Sequence, residues 1–159
     1  MNLAAMKLNE GLAEVGVTAE ERALVAAWRP LLDREIPAIA RRYYDHLRST
    51  EVGRLLTPDR FEQLLETRIA HWRLLVAGDF AAVSDDYVEH FGRRLFEAGF
   101  PLRVFVVAAD WFTVELTRLV DRSPDLPDTV RPDLRVALIK FAFVDLLLAH
   151  ASREVAYLD

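Results

Sequence analysis

Hydrophobic positions along this chain recur every three or four residues, the spacing that places side chains on one face of an α-helix. The alternation typical of a half-buried strand does not appear. We predict a weakly amphipathic lead-in over residues 1–17, a first helix from Thr18 to about Leu31, and later helices over about 33–49, 58–77, 80–99, 101–122 and 128–157. The pattern therefore predicts an all-α domain of about six to seven helices packed on one another.

Local signals at helix ends refine this pattern. Thr18 and Glu21 have the spacing of a capping box, in which each side chain bonds the other residue's free backbone amide. Pro58 follows Thr57 and fits the first position of a helix. Pro30 and Pro37 fall inside a helical pattern, and because proline lacks the amide donor we expect a break or kink near them.

Composition excludes several classes of function. The 159 residues are 52% hydrophobic and 28% charged, which indicates one globular domain with a sizeable core. The net charge of −5 disfavours nucleic acid as a partner, and the absence of cysteine excludes disulfides and thiolate metal sites. We expect a cytoplasmic protein, because no apolar run reaches the roughly 20 residues of a membrane span and the N-terminus is too polar for a signal peptide.

Candidate catalytic and metal-binding residues are sparse. No two of the four histidines are three or four residues apart, so none share a helical face in the way metal ligands often do: His46, His71, His90 and His150. The pair Asp85 and Asp86 is interpreted as a charged cap of a helix starting near Ser84. We expect no metal site, no catalytic residues and no enzymatic activity.

Two acids and two tyrosines stand out within apolar surroundings. An ionised carboxylate inside an apolar helix is costly unless it is paired, so we expect Asp110 and Asp145 to face water or an arginine of a neighbouring helix. Tyr43 and Tyr44 form an aromatic pair with two interpretations. They pack in the core with their hydroxyls bonded, or one donates a hydrogen bond into a ligand cavity.

Several segments, taken in order, resemble the globin-coupled sensors, which are bacterial haem globins usually fused to output modules. The matching segments are TAEERALVAAWRPLLDREIPAIARRYYDHL, HWRLLVAGDF, FGRRLFEAGFP and the last helix with its FVD. The third resembles the family's proximal segment, which typically reads I-G-x-x-H-x-x-I-G-L-P. The resemblance implies a globin-sensor domain over residues 18–159.

The resemblance also implies the positions of a haem pocket. Tyr44 matches the family's distal tyrosine, Leu65 an apolar distal wall, and Phe91 lies in the same former pocket. The position of the haem-ligating histidine holds Leu95, which has no lone pair to donate to iron. His90 is the alternative axial ligand, although five residues of helix turn it about 140° away from Leu95.

Two functions follow from this resemblance. The first is a sensory or regulatory input domain without normal haem ligation, its former haem space filled by side chains or by a small apolar ligand. It would form a homodimer through the helices 101–122 and 128–157 and act on a C-terminal output module. The second is a gas sensor that binds haem b through an unusual ligand such as His90, with Tyr44 donating to bound oxygen.

Overall fold

The computed structural model of the protein describes residues 3–89, 99–101 and 103–156. Over these residues the chain forms six α-helices and one short 3₁₀ helix, Glu51–Leu55, and no strand. The α-helices are α1 Leu3–Val15, α2 Ala19–Arg48, α3 Pro58–Val76, α4 Phe80–Glu89, α5 Arg103–Arg122 and α6 Arg131–Ala156. The predicted all-α class is confirmed. The lead-in, expected only to be weakly amphipathic, is itself a helix.

Helix α2 is continuous over 30 residues and contains both Pro30 and Pro37. The predicted division into two helices is wrong. Each proline removes one amide donor, but α2 buries side chains along most of its length, from Val25 to Leu47, so tertiary packing holds the helix together. The capping box at its start is confirmed, with Thr18 N donating to Glu21 Oε2 over 2.9 Å and Glu21 N to Thr18 Oγ1 over 3.1 Å.

Helix α6 is the centre of the packing, because α1, α2, α3, α4 and α5 all contact it. Helix α3 packs mainly on α2, and α1 lies against α6 with Gly11 facing Leu147. Large buried side chains from four helices, including Tyr43, Trp72, Phe112 and Phe141, fill the space between them. A helix-on-helix core of this kind places polar side chains of α3, α4 and α6 opposite one another.

The helices end, and the loops between them begin, near the glycines and prolines of the sequence. Gly78 follows α3 with a φ of 70°, a left-handed conformation that glycine adopts without strain, and it ends the helix as predicted. The loop over residues 123–127 separates α5 from α6, also as predicted. Within the described residues, no helix has the combination of length and apolar character that crossing a membrane requires.

Candidate functional site

His71 of α3 is fully buried and bonded at both ring nitrogens. Its Nδ1 lies 2.8 Å from Oδ2 of Asp86 on α4, and its Nε2 lies 2.7 Å from Oδ1 of Asp145 on α6. Because a carboxylate oxygen can only accept, both contacts are hydrogen bonds only when both ring nitrogens carry protons. Burial acts to lower the pKa of His71, but the charge and hydrogen bonds of Asp145, with the hydrogen bond of Asp86, outweigh it and raise the pKa. With both carboxylates ionised, His71 joins the three helices as an imidazolium at pH values below its raised pKa.

Asp145 is only 3% exposed and accepts a second hydrogen bond. The hydroxyl of Tyr87 donates to the same Oδ1 over 2.7 Å, and the rings of Tyr87 and His71 meet edge to face with centroids 4.6 Å apart. Burial first, and then the negative charge of Asp145, raise the pKa of Tyr87, so its hydroxyl stays a neutral donor. Asp145 does not face water. Arg68 of the neighbouring helix α3 attracts its charge, as expected, but its hydrogen-bonded partners are a histidine and a tyrosine. Asp110 is exposed, as expected.

Arg68 lies one helical turn before His71 and is also fully buried. Its guanidinium carbon lies 5.6 Å from the ring centroid of Tyr43 and 5.7 Å from that of Trp72, within the range of cation–π attraction. Burial acts to lower the pKa of Arg68, but the attraction of Tyr44, Tyr43, Tyr87 and Asp145 outweighs it and the net pKa is raised. The interior thus holds a permanent cation beside the histidine.

With both carboxylates ionised, the charges of this group balance when His71 is protonated. Arg68 and a protonated His71 contribute two positive charges, and Asp86 and Asp145 contribute two negative charges. Uncompensated charge is strongly disfavoured in a protein interior, so balance favours the proton on His71. We call His71, Asp86, Tyr87 and Asp145 the polar network, with Arg68 as its neighbouring charge.

The predicted distal residues lie in the same interior. Tyr43 donates from its hydroxyl to the backbone oxygen of Val104 over 3.1 Å, which confirms the core-packing interpretation for this residue. Tyr44 is 1% exposed and meets Tyr43 edge to face with centroids 5.2 Å apart. Burial raises the pKa of Tyr44, while the charge of Arg68 opposes the rise. Leu65 is also buried. Phe91, Leu95 and His90 lie outside the described residues.

Among the described residues, the buried histidine is not a free axial ligand for a haem. A haem needs an axial electron-pair donor and a flat apolar slot. Both nitrogens of His71 face carboxylates, so this buried histidine has no lone pair left for iron. Rings pack directly on rings through the interior, with Trp72 centroids 4.9 Å from Phe112 and 6.2 Å from Tyr43. Among the described residues, no group of three or more potential ligands could hold a metal ion.

The sequence contains a signal for the polar network that periodicity alone did not isolate. Arg68 and His71 fall on the buried stripe of α3, three and four residues from apolar members of that stripe. Charged residues on a core face of a helix indicate buried partners elsewhere in the chain. The sequence pattern predicts that Asp86 caps a helix starting near Ser84, but α4 begins at Phe80, so Asp86 lies in its second half and bonds His71 instead. That interpretation is wrong.

The surface carries two further features of interest. A cleft of about 330 Å³ opens between the end of α2 and the start of α5, lined by His46, Leu47, Thr50, Glu51, Val52, Arg103, Val104 and Val107. Large exposed apolar side chains occur on α5 and α6: Val106, Val107, Val136, Ile139, Phe143 and Leu147. On α6, positions 136, 139 and 143 follow helical spacing and form one stripe.

Among the described residues, five helices gather around a long terminal helix, with a tyrosine pair and a polar interior between them, and form an all-helical domain. The sequence model of the protoglobin family matches residues 5–158, nearly the whole chain. The chain therefore belongs to the protoglobin family. A search of curated proteins found no match. The predicted resemblance to sensor globins and the predicted globin fold are confirmed.

Proposed function

We propose that this globin domain is the sensory or regulatory input domain of a cytoplasmic bacterial signalling protein and that it works without haem. The observation that carries the proposal is the polar network. A haem needs an apolar slot, whereas the interior of this globin domain contains a histidine bonded to two carboxylates and a buried guanidinium. The proposal assigns no catalytic reaction to the chain.

The chemistry of the expected proximal position also supports haem independence. Leu95, at the position that holds the histidine in similar sensor globins, has no electron pair for iron. His71 is the buried histidine among the described residues, and it bonds two carboxylates. To ligate iron it would have to give up one of these bonds and leave a carboxylate buried without its partner, which is strongly unfavourable.

A homodimer through α5 and α6, the predicted helices 101–122 and 128–157, is the proposed signalling assembly. Contiguous exposed apolar surface indicates a covered face. Phe143 is 57% exposed and Val136 48%, and both lie on the apolar stripe of α6, while Val106 on α5 is 51% exposed. A second copy of the chain would remove these side chains from water, and a shift of the paired helices would pass the signal to a C-terminal output module.

The cleft beside α2 is the proposed site for a small apolar ligand. Its walls include Leu47, Val52 and Val104, and its volume of about 330 Å³ is at the lower end of the range for ligand pockets. Tyr43 bonds the backbone of Val104, so a ligand there would touch the segment that ties α2 to the start of α5.

Haem titration tests the central part of the proposal. The purified protein is titrated with haemin, and its visible spectrum is recorded. The same titration is carried out on His90→Ala and on a control variant at an exposed position, His150→Ala. We expect no stoichiometric uptake and no difference between the three proteins. Uptake of one haem per chain, with an axial-ligand spectrum lost only in His90→Ala, would contradict the proposal. It would favour the alternative, a haem-based gas sensor in which Tyr44 donates to the bound gas.

A further inference from the structure

The polar network connects α4 with α6, the helix of the proposed dimer interface. His71 on α3 bonds Asp86 of α4 on one side and Asp145 of α6 on the other. Helix α4 leads into the segment that carries the position of the family's haem ligand, and Asp145 lies two residues from Phe143 on the exposed apolar stripe. A change at His71 therefore acts on both α4 and the proposed dimer helix.

The two carboxylates that bond His71 differ in their burial and in their other partners. The Asp145 side chain is 4% exposed, accepts from Tyr87 as well, and is attracted by Arg68. The Asp86 side chain is 19% exposed and so has access to water. When the imidazolium loses one proton to solvent, one ring nitrogen becomes a lone pair facing a carboxylate oxygen less than 3 Å away, and the two repel. The nitrogen facing Asp145 keeps its proton, since Asp145 is the better buried acceptor, and Asp86 is the group that can turn to water.

We propose that the polar network is a proton-controlled latch, in which protonated His71 fastens α4 to α6 and deprotonated His71 releases α4 at Asp86. The proposal rests on the proposed haem-independent sensor and names its input as proton activity. The charged and titratable groups that face His71 from the described helices are Arg68 on α3, Asp86 and Tyr87 on α4, and Asp145 on α6. Of these only His71 has an ordinary pKa close to neutrality.

The direction in which pH opens the latch follows from the pKa of His71. The pKa of His71 in the folded protein lies above its ordinary value of 6.5. The latch is therefore closed at pH values below that raised pKa and opens as the pH rises through it. Tyr87 keeps its proton throughout this range because its pKa is raised well above 10. Asp145 therefore keeps two donors, the Tyr87 hydroxyl and the Nε2–H of His71, after His71 has lost the proton that faces Asp86.

The test follows two quantities in the full chain by NMR between pH 6 and 9: the titration of the His71 ring, and the hydrogen-exchange protection of α4 amides. Protection factors are corrected for intrinsic exchange at each pH. We expect α4 protection to fall at least tenfold, with the same midpoint as the His71 titration. Protection that stays constant while His71 titrates, or a His71 ring that does not titrate in this range, would overturn the latch.

A matched pair of variants separates the latch from general destabilisation. Asp86→Asn removes the acceptor at the releasable side, whereas Asp85→Asn removes the same charge from the neighbouring exposed position. We expect Asp86→Asn to lower the His71 midpoint and to reduce α4 protection already at pH 6.5, and Asp85→Asn to match the natural sequence. Equal behaviour of the two variants would overturn the proposal. None of these readouts involves haem, so failure of the latch is distinguishable from failure of the haem-independent sensor.

Discussion

Replacing Asp145 by asparagine should destabilise this domain far more than the same replacement at Asp110. Both acids lie in helices rich in apolar residues, but Asp145 is 3% exposed and bonds His71 and Tyr87, each over 2.7 Å, while Asp110 is exposed. Breaking a buried ion pair by removing one partner costs about 3–5 kcal/mol. Asparagine keeps the shape and one oxygen acceptor, so we expect about 3 kcal/mol for Asp145→Asn. Surface substitutions such as Asp110→Asn stay within about 0.5 kcal/mol.

Urea denaturation at pH 6.5 and fixed protein concentration measures both values. With a urea dependence of about 2 kcal/mol per molar, 3 kcal/mol corresponds to a midpoint lowered by about 1.5 M. A double-mutant cycle with His71→Gln isolates the pair, and we expect the double variant to lose about 1–3 kcal/mol less than the sum of the single losses. Equal midpoints for Asp145→Asn and Asp110→Asn, or strictly additive losses in the cycle, would refute the assignment of a buried ion pair.

Three further predictions use other parts of the structure. Because the pKa of His71 is raised on folding, its contribution to the free energy of unfolding should be greatest near or below pH 6.5. Above pH 6.5 this contribution should fall by up to about 1.4 kcal/mol per pH unit, until His71 is deprotonated in the folded state too. Urea midpoints that rise between pH 7 and 9 would contradict this. Phe143→Glu should shift sedimentation from dimer to monomer, whereas Gln63→Glu, which adds the same charge on an exposed position of α3, should not. Gly53→Ala should lower the free energy of unfolding by about 1–3 kcal/mol, because the new Cβ would lie 2.6 Å from backbone atoms of Leu47 and Arg48. Gly11→Ala, whose Cβ would have its nearest contact at 3.6 Å, should be neutral or stabilising by up to about 1 kcal/mol. The opposite order of melting temperatures would contradict the packing.

The sequence predicts much of this fold because local rules and packing agree over most of the chain. The capping box at Thr18 and the apolar periods located the helices to within a few residues. The division of α2 at Pro30 and Pro37 was wrong because the rule for proline considers one lost hydrogen bond, whereas burial along a 30-residue helix is a property of the whole domain.

The site was harder to predict because its members are far apart in sequence. Asp145 lies 74 residues from His71 and 58 from Tyr87, so no spacing rule joins them. An acid in an apolar helix indicates that some partner exists, but it does not identify the partner. Tyr44 and Leu65 were found through family resemblance, and both are buried in the interior. Their role in ligand binding remains a prediction.

The nitrogen NMR shifts of the His71 ring at pH 6.5, recorded before and after one equivalent of haemin, test the central claim most directly. If protonated His71 bonds both Asp86 and Asp145 and the domain works without haem, both ring nitrogens will show protonated shifts, and haemin will leave them unchanged. A ring with one unprotonated nitrogen, or signals that shift or broaden stoichiometrically with haemin, would contradict the account.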